Sequence, residues 1–456
     1  MIKTNLEFVS KDLNELLAMF DGSEHYNVNH IFSEKEDRVV NTIVVNGKAY
    51  AYGNLIGKID DEIERKRLYK RYAKLSLYKA ISRFSGISLP WGALTGVRPT
   101  KLAYQQIKKG ENFQSFLRDV MLVSDEKIEL ISKVVENQKP YIDTTDLASD
   151  LFVFIPFCPT RCKYCSFITA DVKRASKYVD EYVDKLVEEI NKSAPLIKNL
   201  RSIYIGGGTP VALSNENLEK VLSAIDKINT GVEYTVEAGR ADRITKENLA
   251  LFKKYRVTRL CVNPQTFNDK TLTVLHRNHS AMDVINAYNL AKNDFIINMD
   301  FIAGLEGETF EDFKYSIDKA ISLNPDNITV HTLSIKNGSE LSTITDRVDA
   351  GEVDKMVSYA IKSLMDSGYE PYYLYRQKYM AGNLENIGFS KPNKQCIYNI
   401  DIMEETTDIV ACGAGAISKR VNNKNNIIER VGAPKDVPTY IDKLENIIAE
   451  KQELFN

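Results

Sequence analysis

The chain has 456 residues, 43% hydrophobic and 27% charged, with 60 Lys and Arg against 62 Asp and Glu. This excludes collagen-like, mucin-like and disordered classes, and a net charge of −2 gives no global basic field for nucleic acid. No apolar run approaches the ~18 residues of a membrane span, and charged residues break up the N-terminal stretch, so a cytoplasmic protein of about three domains is expected.

Residues 1–145 are predicted to form an N-terminal α+β domain, to which the sequence assigns no role. Its signals are a hairpin in NTIVVNGKAYAYGNL, turned at Asn46-Gly47, and a basic helix over 60–84 read as a solvated face above an apolar stripe. From about 146 to 345, short apolar strands alternate with amphipathic helices. Strands are predicted at LFVFIPF, SIYIGG, YTVEA, RLCVN, FIINMDF and NITVHTL, with helices over 175–193, 216–228, 246–254, 282–292 and 310–323. Repeated β-α units imply a parallel α/β sheet, because each strand must return through a helical crossover. Pattern alone leaves both an open partial barrel and a flat doubly wound sheet. Residues 346–456 are predicted to be a C-terminal extension, with helices over 354–367 and 439–450.

Of six cysteines, Cys261, Cys396 and Cys412 are scattered, whereas Cys158, Cys162 and Cys165 fall on one loop directly after a strand. Too few for a disulfide scaffold, the clustered three point to metal or redox chemistry. Three thiolates can each hold one iron of a [4Fe–4S] cluster, leaving the fourth iron open to a ligand. Zinc competes, but a closed zinc site needs four ligands and no nearby Cys or His completes it.

Ile205-Gly206-Gly207-Gly208-Thr209-Pro210 follows the second strand. Its glycines let backbone approach a ligand closely, while the absence of a following Gly-Lys-Ser/Thr argues against a P-loop. Polar residues recur at later strand ends: Glu237, Gln265 and Asp300, where β-α folds place their ligand crevice.

Together these segments resemble the radical S-adenosylmethionine (SAM) superfamily, whose hallmark is the Cys-x3-Cys-x2-Cys spacing with aromatics nearby, here Phe157, Tyr164 and Phe167. The resemblance implies a partial (β/α)6 barrel whose [4Fe–4S] cluster is held by Cys158, Cys162 and Cys165, with SAM chelating the open iron. One electron then cleaves SAM to methionine and a hydrogen-abstracting 5′-deoxyadenosyl radical. It also implies that Gly207, Gly208 and Thr209 contact the methionyl amino group, that Gln265 and Asp300 bind the ribose, and that Glu237 and Arg277 position the methionyl end. Phe157 and Phe167 would flank the cofactor.

LPWGALTGVRPTKL, YRQKYMAGNLENIGF and DIVACGAGAISK are similar to the HemZ-type coproporphyrinogen III dehydrogenases, a branch implied to convert two propionates of coproporphyrinogen III to the vinyl groups of protoporphyrinogen IX. An electron donor such as a flavodoxin or ferredoxin is implied. A carboxylated substrate needs cations, and Arg376 and Lys378 are the candidates. Departures from the family pattern are FVFIPFC for YIHIPFC, Ser166 after Cys165, and Gly304-Leu305-Glu306 for Gly-Leu-Pro. The alternatives are a haem chaperone of a related branch, disfavoured because KQCIYNID lacks the His and Trp of that branch's HNxxYW segment, and a radical SAM methyltransferase.

Overall fold

A computed structural model of the chain describes residues 2–20, 22–57, 59–95, 98–142, 148–165, 170–334, 349–377, 384–423 and 427–456. Two compact units emerge, Met1–Ser132 and Lys133–Asn456.

In the first unit, β1 (Lys3–Thr4), β2 (Val28–Lys35), β3 (Arg38–Val45) and β4 (Lys48–Leu55) form one sheet in that order. β3 and β4 meet at Asn46 and Gly47, both at positive φ (47° and 85°), the conformation a tight hairpin with right-handed strand twist requires. Alternation along β3 turns Ile43 and Val45 inward, where they pack with Leu13 and Leu16 of helix Ser10–Leu17 and with Leu77 and Ile81 of helix Glu62–Ser85. The basic stretch of that helix is thus the outer face of a core-packed element.

In the second unit, the six predicted strands are β5 (Ser149–Ile155), β8 (Leu200–Gly207), β9 (Glu233–Val236), β10 (Arg259–Cys261), β11 (Ile296–Ala303) and β12 (Asn327–Thr332). Two-residue strands β6 (Phe157–Cys158) and β7 (Ala170–Asp171) pair with each other beyond the end of β5. The six lie side by side in chain order, all parallel, linked by helices Ser176–Ser193, Asn215–Asp226, Lys246–Lys254, Ala281–Ala291 and Phe310–Leu323. A strand order that never reverses is a singly wound wall, which decides for the open barrel over the doubly wound sheet. Buried residues on the helices, such as Leu186, Leu222, Phe252 and Ile317, cover its outside.

Residues beyond 345 extend the same sheet. β13 (Glu370–Tyr375) and β14 (Asn386–Ser390) add antiparallel beside β12, while β15 (Asp408–Cys412) adds parallel beside β5 and carries β16 (Ile417–Asn422) and β17 (Ile427–Gly432). Segment 394–404 lies against the inner face at the N-terminal strand ends. Arg259 there donates to Glu233 Oε2 at 2.9 Å, to the carbonyls of Lys394 (2.9 Å) and Gln395 (3.0 Å), and to Asn327. Glu233 also accepts from Ile397 N at 2.8 Å, capping helix Ile397–Glu404. This end is therefore closed by an ionic network centred on Arg259, and the interior is polar toward the C-terminal strand ends.

Candidate active site

The strand ends enclose a cavity of about 400 Å³ lined by Cys158, Cys162, Cys165, Gly207, Gly208 and Thr209, together with Glu237, Gln265, Arg277 and Asp300. Eleven positions spread over some 140 residues of sequence are thereby brought to one volume once Tyr204 is counted with them.

The cysteine loop is pinned on both sides. Val172 N donates to Cys158 O at 2.9 Å, Thr209 Oγ1 to Cys158 Sγ at 3.6 Å, and Thr160 Oγ1 to His276 O at 3.1 Å. Cys162 and Cys165 are tied in a turn by Cys165 N to Cys162 O at 3.0 Å. All three thiols are half-buried.

Next to the loop, the glycines of β8 are sterically required. A Cβ on Gly206 would stand 2.9 Å from the Glu237 carboxylate, one on Gly207 (φ 103°) 2.8 Å from the Phe154 ring, and one on Gly208 2.5 Å from Phe157 O. Gly208 N and Thr209 N donate to Ile155 O and Phe157 O, each at 2.7 Å, locking this turn to the start of the cysteine loop.

Glu237, just beyond β9, accepts from Tyr204 OH at 2.6 Å, and burial pushes its carboxyl up to about 7. Asp300 faces the cavity from mid-β11. Burial opposes its charge, but hydrogen bonds and charge from His331, Asn298 and Thr329 outweigh this and hold its pKa below the ordinary value. Asn298 Nδ2 lies 2.8 Å from Asp300 Oδ1, and His331 Nε2 lies 3.9 Å from Oδ2. Gln265 takes a left-handed backbone (φ 69°) to bridge Asp300 and Ile302 through its own N–H and C=O. Its Oε1 and the Oδ1 of Asn263 are buried with no partner among the described residues. Buried acceptors left unpaired are costly, so this wall fits a hydroxyl-bearing ligand such as a ribose.

Arg277 is almost wholly engaged. It donates to Tyr164 OH (2.7 Å), Gly239 O (3.0 Å) and Asn263 O (2.6 Å), and approaches Cys162 Sγ at 4.0 Å. That arrangement fixes the loop. Arg240 offers a spare donor instead: Nη1 binds Thr160 Oγ1 at 2.9 Å, while the buried Nη2 has no partner among the described residues. A cationic donor there suits a carboxylate.

Two candidates lie elsewhere. The Phe157 ring is fully buried edge-on against Tyr182, 5.2 Å between centroids, so only its carbonyl serves the site. Arg376 is 5% exposed, with Glu385 as charge partner and its pKa lowered to about 10 by burial. Tyr375 and Gln377 on either side line the cavity and Arg376 does not. Phe167 and Lys378 lie outside the described residues. The sequence reading overlooked Arg240, three residues past Glu237, and His331, whose polar side chain within apolar NITVHTL was a readable signal.

The superfamily's sequence pattern, that of radical SAM proteins, matches residues 152–320. The chain is 36% identical over 399 residues to the oxygen-independent coproporphyrinogen-III oxidase-like protein HemZ of Bacillus subtilis, spanning 83% of this chain and 79% of that one. It is 34% identical over 193 residues to the heme chaperone HemW of the same organism, spanning 41% and 50%. It is 27% identical over 300 residues to HemW of Buchnera aphidicola, spanning 64% and 75%. The Escherichia coli coproporphyrinogen III oxidase HemN, a radical SAM enzyme, shares the fold at a TM-score of 0.54 and 20% identity, over 67% of this chain and 71% of that one. The chain belongs to the radical SAM superfamily, in the oxygen-independent coproporphyrinogen-III oxidase-like group that includes HemZ, and its cofactors are a [4Fe–4S] cluster and SAM.

Proposed function

We propose that the protein oxidatively decarboxylates two propionates of coproporphyrinogen III to give protoporphyrinogen IX. The observation that carries this reading is the alignment with HemZ across 83% of the chain at 36% identity, so that it reaches well beyond the 152–320 core that matches the superfamily at large.

In this reading Cys158, Cys162 and Cys165 would hold a [4Fe–4S] cluster, and SAM would bind in the cavity beside it. Bound together, the two cofactors supply a 5′-deoxyadenosyl radical that removes a propionate β-hydrogen. The chain's own residues bind and orient. Gly207 and Gly208 admit the methionyl end against bare backbone, Glu237 accepts from its amino group, and Arg240 donates to its carboxylate. Gln265 and Asp300 accept the ribose hydroxyls. Tyr204, Tyr373 and Tyr375 line the interior, narrowing the volume available to water beside the reacting carbon.

The second reading, a haem chaperone, is favoured by the HemW relatives. The deciding experiment is anaerobic incubation of the reconstituted protein with reductant, SAM and coproporphyrinogen III, followed by mass spectrometry. Loss of two CO2 per tetrapyrrole supports the oxidase. Tight haem binding with unaltered coproporphyrinogen supports the chaperone.

A further inference from the structure

A carboxylate on a strand does not aim itself. The χ2 torsion of Asp is broad and roughly two-fold, so Asp300 alone would present its oxygens over a wide range of angles. The fold supplies what holds it. Asn298 and Asp300 are two residues apart on β11 and point to the same side, and β12 runs beside them with Thr329 opposite Asp300 in the register. Asn298 Nδ2 donates to Asp300 Oδ1 at 2.8 Å, Thr329 Oγ1 donates to Asn298 Oδ1 at 3.2 Å, and Tyr373 OH donates to Thr329 Oγ1 at 3.2 Å. Asn298, Thr329 and Tyr373 are all buried.

The direction of this relay is forced from its anionic end. An ionised Asp300 can only accept, so Asn298 must offer it the amide nitrogen and turn its carbonyl oxygen to Thr329. Thr329 uses its one hydroxyl proton there, and so must receive from Tyr373. This last link comes from the C-terminal extension. Tyr373 on β13 stands opposite Gly388 on β14, past a register shift after Pro371, and a Cβ on Gly388 would overlap the Tyr373 ring. The missing side chain is thus the space the ring occupies. Holding Oδ1 fixes the plane of a carboxylate whose residue lines the cavity, so Oδ2 has one orientation there and not many.

We propose that Asn298, Thr329 and Tyr373 are positioning residues of the SAM site: through this relay a tyrosine of the C-terminal extension sets the angle at which Asp300 meets the ribose hydroxyls. The proposal rests on the assignment of Asp300 to the ribose. It does not depend on which substrate the radical attacks.

The test uses the reconstituted full chain with its cluster oxidised, so that nothing is cleaved, and measures Kd for SAM and for 2′,3′-dideoxy-SAM. Tyr373→Phe removes one hydroxyl and keeps the ring over Gly388, while Asn298→Ala cuts the relay next to Asp300. Tyr372→Phe is the control: its buried hydroxyl accepts from Asn399 Nδ2 at 3.2 Å and lies outside the relay. The unaltered protein should prefer SAM by about tenfold or more. Asn298→Ala should weaken SAM about tenfold and Tyr373→Phe about threefold, while the dideoxy ligand, with no hydroxyl to lose, changes less than about twofold in either. Tyr372→Phe should leave the preference intact. Variants that weaken both ligands equally, or neither, overturn the relay, as does a Tyr372→Phe protein whose preference narrows as far as that of Tyr373→Phe. If Asn298→Ala fails to fold, Tyr373→Phe alone decides. Equal binding of the two ligands to the unaltered protein, or no binding of either, would overturn the ribose assignment and the relay with it.

Discussion

Gly208→Ala is the sharpest test of how the site is built. Gly208 has no positive φ, so alanine meets no backbone penalty of its own; the penalty comes from space. The new methyl carbon would stand 2.5 Å from Phe157 O and 2.8 Å from Ile155 O, both main-chain atoms that no rotamer change can move. Relief requires the turn to withdraw from β5. That withdrawal stretches the 2.7 Å hydrogen bonds from Gly208 N and Thr209 N, worth about 1 kcal/mol each net. Adding an overpacking cost of about 1–3 kcal/mol gives a loss of about 3–5 kcal/mol. Because Phe157 O belongs to the residue preceding Cys158, the displacement reaches the first cysteine. Gly57→Ala, with nothing within 4 Å of its Cβ, is the control and should change stability by less than about 0.5 kcal/mol. Denaturant titration reads the first effect and iron per chain after reconstitution the second. A Gly208→Ala protein with the control's midpoint and a full iron load would refute this packing argument.

The remaining expectations concern individual side chains. Burial raises the Glu237 carboxyl to about 7 from 4.5, so its protonated form favours folding; that contribution is complete below pH 4.5, fades as pH rises and is gone above about 7. Glu237→Gln should therefore flatten the stability–pH curve of the cofactor-free protein across that window, with a ceiling of about 3 kcal/mol, and weaken SAM binding at pH 8 at least tenfold; an unchanged slope in chemical denaturation would contradict it. Arg376→Ala should lower stability by about 3 kcal/mol through its buried charge pairing with Glu385, while the folded fraction keeps its KM for the tetrapyrrole. A raised KM with unchanged stability would return Arg376 to the substrate site. Lys451→Met removes the ammonium that donates to Glu189 Oε1 (2.7 Å), Ser193 Oγ (2.9 Å) and Ala411 O (3.1 Å), leaving a buried carboxylate; a loss of about 3–5 kcal/mol is expected, and thermal denaturation checks it.

The six parallel strands were legible because each is a short apolar run closed by Gly, Pro or a polar residue, with an amphipathic helix before the next. The cysteine spacing and the three glycines were legible because few structures need either. The strands β13 to β17 were hidden: all but β15 pair only antiparallel and need no crossover helix, and the Tyr-rich EPYYLY shows no clean alternation. Arg376 misled for a related reason. Its neighbours Tyr375 and Gln377 do reach the cavity, but Arg376 lies just past the end of β13, where no strand period assigns its side and only the fold settles it. Arg277, expected at the methionyl end, lines the cavity, and its donors go to carbonyls and a tyrosine in the loop wall.

The most direct test is on the metal itself. Protein purified and reconstituted without oxygen, then reduced, should contain about four iron and four sulfide per chain, and its electron paramagnetic resonance spectrum should change when SAM is added. Cys162→Ala should lose both the chromophore and that response. Bound zinc in place of iron, or a cluster whose spectrum ignores SAM, would contradict the account.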